Sequence, residues 1–158
     1  MSVVSSKPKS FSAALKEAGK TSLYLPVPFD PAKIWGKRDR WHVAGTLNGL
    51  RIRGVIEKRT GGHLMMLGPA WLREHGLTPG QKVRAVLALE GPQRDALAPD
   101  FAKALAVSPA AARFWDSVAQ FYRKGYLRWI DATKKRPDER IRRIAEVVRL
   151  LAAGRKQF

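Results

Sequence analysis

The residues that could do chemistry in this chain are three histidines, His42, His63 and His75, which lie on separate segments. They show no metal-binding spacing, and the chain has no cysteine that could act as a nucleophile or thiolate ligand. His63 follows Gly61 and Gly62, which would let a ligand approach the backbone closely. Alternatively, His63 is a partly buried residue at the start of a strand. We therefore expect no catalytic residue, no metal and no cofactor, and we expect that the protein is not an enzyme.

The net charge is the feature that points most clearly to a partner. The 158 residues include 30 Lys and Arg against 13 Asp and Glu, which gives a formal net charge of +17. The excess is divided almost evenly between the first 98 residues and the rest of the chain. A field of this sign raises the local concentration of anionic molecules, so nucleic acid, another polyanion or an acidic surface is the expected partner.

The densest basic cluster lies in the second half and surrounds two aromatic residues, Tyr126 and Trp129. Its members are Arg123, Lys124, Arg128, Lys134, Lys135, Arg136, Arg140, Arg142 and Arg143. Cations interleaved with aromatic rings are typical of surfaces that bind single-stranded nucleic acid. The alternative is a solvated helix face, because Trp129 also fits a core stripe and Arg142, Glu146 and Arg149 have the spacing of ordinary helix ion pairs.

A second basic group lies on predicted strands. Arg51 and Arg53 alternate with apolar residues, as do Lys82 and Arg84 further along the chain. Alternation places all four on the face opposite the core. Arg51 and Arg53 are therefore further candidates for contact with a polyanion. The alternative is that these cations protect exposed strands against edge-to-edge pairing.

The elements that must position these residues follow from the apolar period. From Phe11 to Leu89 apolar residues recur mainly at every second position, and Asn48-Gly49 between two such runs predicts a hairpin. A short helix that begins with proline is predicted at 69–75. Short strands at this spacing predict a small antiparallel β-barrel over residues 11–91, preceded by a flexible leader at residues 1–10.

After Pro92 the period changes to 3.6, which predicts a helical tail over residues 92–158. Three helices are expected: one at 100–106, one that Ser108 caps and that runs to Trp129, and one that begins at Pro137 and ends at Gly154. The chain is therefore predicted to be an α+β protein with a three-helix tail packed on the barrel. The predicted contact residues of the tail are Phe114, Phe121, Trp129, Ile144 and Val148.

Short motifs run in order through nearly the whole chain. They are Phe11-x-Ala13-x-Leu15, Pro26-Val27-Pro28-Phe29-Asp30, Gly45-Thr46-Leu47-Asn48-Gly49, Gly61-Gly62-His63-Leu64, Trp129-Ile130 and Lys135-Arg136-Pro137-x-x-Arg140. This ordered set resembles the bacteriocin-protection family, also called YdeI/OmpD-associated. The resemblance implies a bacterial protein in which a small β-barrel domain of unknown function precedes a helical tail. It also implies a link to survival of antimicrobial peptides.

Two functions remain open from the sequence. The first is a module that binds a polyanion through its basic surface. The second is a small-ligand barrel with a pocket near Asn48, His63 and Trp129 and an indirect role in stress or antimicrobial-peptide tolerance. Direct capture of such peptides is disfavoured, because most of them are cationic and would be repelled. The sequence has no signal-like or membrane-spanning apolar segment, so we expect a cytoplasmic location and no membrane insertion.

Overall fold

The computed structural model describes residues 7–59, 61–133 and 135–158 and divides the chain into two units, Met1–Glu90 and Gly91–Phe158. The described residues of the first unit form seven strands and two short helices. The strands are β1 Lys9–Ala14, β2 Lys16–Glu17, β3 Leu23–Val27, β4 Trp41–Leu47, β5 Leu50–Arg59, β6 Gly62–Leu67 and β7 Lys82–Leu89. The helices are α1 Pro31–Trp35 and α2 Pro69–His75.

The seven strands form a nearly closed antiparallel barrel, as predicted. Their order is β1-β7-β4-β5-β6-β3-β2, and each neighbouring pair is antiparallel. Strands β1 and β2 are separated only by Leu15, yet they lie at opposite ends of this order. One stretch of chain therefore begins the sheet and also ends it. Leu15 is buried at the corner, where its N–H donates to Gln81 and its carbonyl accepts from Gly80.

The β4–β5 hairpin has the predicted turn. Asn48 and Gly49 have φ angles of 51° and 77°, which are left-handed values that these two residue types tolerate. The turn is also hydrogen-bonded to strand β7, because Asn48 Oδ1 accepts a 2.8 Å hydrogen bond from the backbone N–H of Arg84. Glycine is required at position 45 because β4 and β7 approach each other closely there. A Cβ at this position would lie 1.8 Å from the carbonyl oxygen of Val86.

Alternating residues of the strands fill the barrel, and α1 adds Trp35 to this core. The apolar period predicts no helix at residues 31–35. In the structure Asp30 caps a five-residue helix, because its side chain accepts a hydrogen bond from the backbone N–H of Ala32 and Pro31 occupies the first turn. The Trp35 indole then donates to the carbonyl oxygen of Lys7, which connects the helix to the residues just before β1.

The second unit corrects the predicted helix count. Its described residues form a short 3₁₀ turn, Arg94–Ala96, and four α-helices: α3 Pro99–Val107, α4 Pro109–Ser117, α5 Gln120–Asp131 and α6 Pro137–Ala152. The predicted long second helix is divided because Val118 and Ala119 are both extended, with ψ angles of 153°. The predicted helix starts at Ser108 and Pro137 are confirmed, and Ser108 Oγ accepts from the N–H of Ala111.

The break also changes which residues form the core of the second unit. The prediction that Phe121 is a contact residue is wrong, since 63% of its surface is exposed. Trp115, Tyr126 and Ile130 are buried instead, because the two extended residues rotate α5 relative to a continuous helix. Ile144 is buried as expected. Other members of the predicted set, Phe114, Trp129 and Val148, are only partly buried. Packing of the tail on the barrel stays a prediction.

Candidate nucleic-acid interface

The second unit has one helix face that carries exposed aromatic and basic side chains together. Phe121, Lys124 and Arg128 lie three or four residues apart on α5 and are all exposed, so they share one side of the helix. Gly125 lies beside them and contributes no side chain. This face includes two of the exposed cations of the predicted basic cluster, Lys124 and Arg128.

The residues that follow α6 return to lie against α5. Gly154, with a φ angle of 74°, ends α6 and allows the chain to turn. The Tyr126 hydroxyl then donates a 2.5 Å hydrogen bond to the carbonyl oxygen of Arg155. Phe158 packs its ring against Tyr126 and Trp129, with centroid distances of 5.4 Å and 4.5 Å. Burial raises the pKa of Tyr126, so its hydroxyl keeps the proton that makes this bond.

A cavity of about 250 Å³ lies between α5 and this returning segment. We call it the α5 cleft, and its lining residues are Phe121, Tyr122, Gly125, Tyr126, Arg128, Lys156, Gln157 and Phe158. Phe121 and Phe158 are 63% and 57% exposed, so two large apolar rings of the cleft face solvent. Lys156 lies on the far side, with its Nζ 5.5 Å from the centre of the Tyr122 ring. Two exposed rings are thus accompanied by cations on both walls.

Several cations of the predicted cluster are already paired with carboxylates. Arg140 makes two hydrogen bonds to Asp100, of 2.6 Å and 3.0 Å, and a third of 3.2 Å to Asp131. These bonds connect α6 to α3 and α5. They raise the pKa of Arg140, and the Arg140 guanidinium lowers the pKa of Asp100. Arg140 is therefore a structural cation.

Arg142 and Arg143 share the carboxylate of Glu139. Arg142 forms an ion pair with Glu139 Oε1, and Arg143 Nε lies 3.2 Å from Oε2. Arg143 also donates a 2.7 Å hydrogen bond to the carbonyl oxygen of Trp129 and lies 4.7 Å above its ring centre. Hydrogen bonds from Arg142 and then Arg143 lower the pKa of Glu139. Both arginines are therefore engaged within the unit.

Arg123 does not belong to a binding surface, which corrects its assignment from sequence. Its side chain is buried, with a residue exposure of 1%. Arg123 Nε donates to the carbonyl oxygen of Trp115 at 2.9 Å, and Nη2 donates to that of Asp116 at 3.0 Å. These carbonyls belong to the last turn of α4, where a helix lacks internal donors. The guanidinium therefore ends α4 and favours the break before α5.

The remaining predicted cations of the tail are Lys124, Arg128, Lys135 and Arg136, and all four are exposed. None has an ion pair within the part of the chain that the structure describes. Lys134 lies outside the described residues. Lys156 and Phe158 also lie beside α5, although neither was among the predicted binding residues. Their signal was the basic and aromatic run Arg155-Lys156-Gln157-Phe158 directly after the helix-ending Gly154.

The four predicted cations of the barrel are separated from one another on its outer surface. Arg51, Arg53, Lys82 and Arg84 are all exposed on the outside of the barrel. Arg53 is compensated, since its Nε donates a 2.5 Å hydrogen bond to buried Glu90, which raises the pKa of Arg53. Strand β4 lies between Arg51 on β5 and the two cations on β7. The barrel therefore offers separate cations without an accompanying exposed aromatic cluster among them.

Two residues of the predicted ligand pocket, Asn48 and His63, lie far apart within the barrel unit. Asn48 lies at the turn beside the start of β5, whereas His63 pairs with Lys58 near the end of β5. At about 3.4 Å per residue, the two positions are roughly 25 Å apart along that strand. His63 packs edge-on against Trp41, and its Nε2 lies 4.0 Å from Asp30. Trp129 is occupied by contacts with Arg143 and Phe158.

The barrel unit has a different cavity, of about 470 Å³, which contains neither Asn48 nor His63. It lies between the β2–β3 connection and α2, where Lys20 and Arg73 accompany Glu17, Thr21 and Ser22. This cavity is a second place where a ligand could bind.

Two further findings concern the described ranges as a whole. Within residues 7–59, 61–133 and 135–158, no three His, Asp or Glu side chains are grouped so that they could hold a metal ion. No helix in those ranges is both long enough and apolar enough to cross a membrane.

The fold and sequence define the class of protein as a small antiparallel barrel followed by a helical unit. Residues 11–87 match the model of a domain of unknown function (DUF1905), and residues 96–154 match OmdA, the bacteriocin-protection, YdeI or OmpD-associated model. The chain therefore contains matches to both models, with DUF1905 first and the bacteriocin-protection, YdeI or OmpD-associated model second, in the order that the sequence motifs predicted. No curated protein matches the chain.

Proposed function

We propose that this protein is a non-enzymatic binding protein that engages nucleic acid through the α5 cleft and the basic residues beside it. The observation that carries the proposal is that two exposed aromatic rings, Phe121 and Phe158, occur together with three exposed cations, Lys124, Arg128 and Lys156. None of these three cations is paired with a carboxylate in the described ranges. Their charge is thus available to an external anion.

Each part of this surface suits a different part of a nucleic acid. Lysine and arginine side chains neutralise backbone phosphates and release counterions, which favours binding irrespective of sequence. Exposed aromatic rings stack on bases, because every base has a π face. An acidic protein surface would satisfy the cations but would leave Phe121 and Phe158 without a matching partner. We therefore favour nucleic acid over an acidic protein as the partner. We also propose that the protein binds nucleic acid in the cytoplasm.

Salt dependence tests this proposal. A fluorescein-labelled single-stranded oligonucleotide is titrated with protein at salt concentrations from about 50 to 300 mM, and affinity is read by fluorescence anisotropy. Three phosphate contacts on a single strand predict a slope of about −2 in log K against log salt. We expect little dependence on sequence, because phosphate contacts carry no base information. Absence of binding at about 50 mM salt contradicts the proposal.

The barrel cavity supports a second candidate function, a small-ligand barrel with an indirect role in antimicrobial-peptide tolerance. Its volume of about 470 Å³ falls in the range of small-molecule pockets. Lys20 and Arg73 outnumber Glu17 in the cavity wall and, together with the hydroxyls of Thr21 and Ser22, favour a small anion. Thermal unfolding with and without citrate tests this candidate: a rise in midpoint that Arg73→Gln removes supports it, and an unchanged midpoint contradicts it.

A further inference from the structure

Neither the packing nor the backbone of α5 requires glycine at position 125. It lies in the middle of α5 with helical backbone geometry, which any residue can adopt. A Cβ built at this position would meet no atom within 4 Å, so there is no steric reason for glycine. Glycine inside a helix is also unfavourable relative to alanine, because it loses more backbone freedom on folding. A residue that weakens the helix without a packing reason calls for another explanation.

The position of Gly125 provides that explanation, since Gly125 forms part of the wall of the α5 cleft. Phe121 lies one turn before it, and Arg128 lies almost one turn after it. At 1.5 Å per residue, these two side chains begin about 10 Å apart along the helix axis. A side chain at position 125 would project into the space between them. Glycine keeps this space open toward Phe158 on the opposite side.

We infer that the α5 cleft accepts one unpaired nucleobase, stacked against the exposed aromatic rings over Gly125, with Arg128 and Lys156 near the adjoining phosphates. This inference rests on the proposed function and names its substrate class as single-stranded nucleic acid. The cavity of about 250 Å³ is slightly smaller than pockets for drug-sized ligands, which suits one flat ring system. Bases within a duplex are already stacked on their neighbours and cannot enter.

The test compares a labelled single-stranded thymidine oligonucleotide with a labelled duplex of the same length. Gly125→Leu fills the cleft without changing the charge, and leucine is the better helix former, so loss of the fold is not expected. We expect the variant to lose about tenfold in affinity for the single strand and to keep its affinity for the duplex. Equal loss for both probes, or no loss for either, overturns the inference.

A second variant keeps the result independent of helix effects. Phe121→Ala removes an exposed ring and should give the same selective loss, whereas Ile141→Ala removes an equally exposed apolar side chain on α6 and should give none. The midpoint of thermal unfolding of each variant is measured alongside. If the wild type binds both probes equally and neither cleft variant has an effect, the inference fails, and of the proposed function only binding of nucleic acid through the exposed cations stands. If the wild type binds neither probe, both fail.

Discussion

The Tyr126 hydroxyl donates a 2.5 Å hydrogen bond to the carbonyl oxygen of Arg155, and this bond fixes the position of the segment that completes the α5 cleft. The Tyr126 ring belongs to the core of the second unit, so its hydroxyl is held in place by packing. Arg155 directly precedes Lys156, and Phe158 follows two residues later; both supply the opposite wall of the cleft. A core residue thus determines where two proposed binding residues lie.

Tyr126→Phe tests this relationship. The change removes the hydroxyl but keeps the ring, so we expect a loss of about 1 kcal/mol in the free energy of unfolding. We also expect weaker binding of single-stranded DNA, because Lys156 and Phe158 are less constrained. Urea unfolding and fluorescence anisotropy measure the two effects. Tyr24→Phe, on strand β3 of the barrel, is the matched control, and an equal effect of both variants on binding would contradict the role of the Tyr126 bond.

Arg123→Met should separate a structural cation from a binding cation. The change leaves the carbonyl oxygens of Trp115 and Asp116 without their buried charged donor. We expect a loss of about 3 kcal/mol in the free energy of unfolding, and unchanged affinity for single-stranded DNA under conditions where the variant is folded. The adjacent exposed substitution Lys124→Met should show the reverse pattern. A stable Arg123→Met variant with weakened binding would place Arg123 in the binding surface.

Acid stability tests the link between α3 and α6. Hydrogen bonds from Arg140 lower the folded-state pKa of Asp100, so this carboxylate stabilises the fold above its unfolded pKa, near 4. That contribution is lost as the pH falls through the folded pKa. Because Asp100 is half exposed, we expect about 1 kcal/mol or less. The difference in unfolding free energy between wild type and Asp100→Asn should therefore shrink below about pH 4.

Arg140→Gln and the double variant complete this cycle. If the two side chains act together, the double variant should be no less stable than the less stable single variant. Additive losses, or a difference between wild type and Asp100→Asn that stays constant with pH, would contradict the assignment.

Gly45→Ala tests the close approach of β4 to β7. Its new methyl group would overlap the carbonyl oxygen of Val86, so the two strands could not keep their separation. We expect a loss of about 3 kcal/mol or more in the free energy of unfolding of the barrel unit. Gly68→Ala is the control, because a Cβ there would meet no atom within 4 Å. Circular dichroism during thermal unfolding distinguishes them, and similar midpoints would show that the strands can separate freely.

The barrel could be predicted from sequence because its signals are local. Asn48-Gly49 specifies a turn by the backbone angles that it tolerates, and the alternating runs on either side specify the paired strands. Helix α1 was missed because five residues are too few to show a period. The closure through Leu15 could not be read from the pattern, since the pairing of β1 with β7 and of β2 with β3 joins residues that are distant or uninformative in sequence.

The helical unit was harder to predict because a buried cation contradicts the hydropathy pattern. Arg123 occupies a core position that an apolar residue would normally take, so the predicted stripe selected Phe121 instead. The candidate site differs from the predicted basic cluster for a related reason. The bond between Arg140 and Asp100 spans 40 residues, and no local spacing reveals it. Sequence therefore identified the basic and aromatic composition, whereas the ion pairs decide which cations remain available.

The central claim is that the cations beside the α5 cleft, and not the net charge alone, bind nucleic acid. The most direct measurement compares two triple variants that remove the same charge. One changes Lys124, Arg128 and Lys156 to Gln, and the other changes Arg59, Arg142 and Arg149, which are paired with glutamates. Anisotropy with a single-stranded oligonucleotide is recorded over a salt series. We predict that the first variant weakens binding and reduces the salt slope by about 2, while the second leaves the slope nearly unchanged. Equal weakening by both variants would contradict the account.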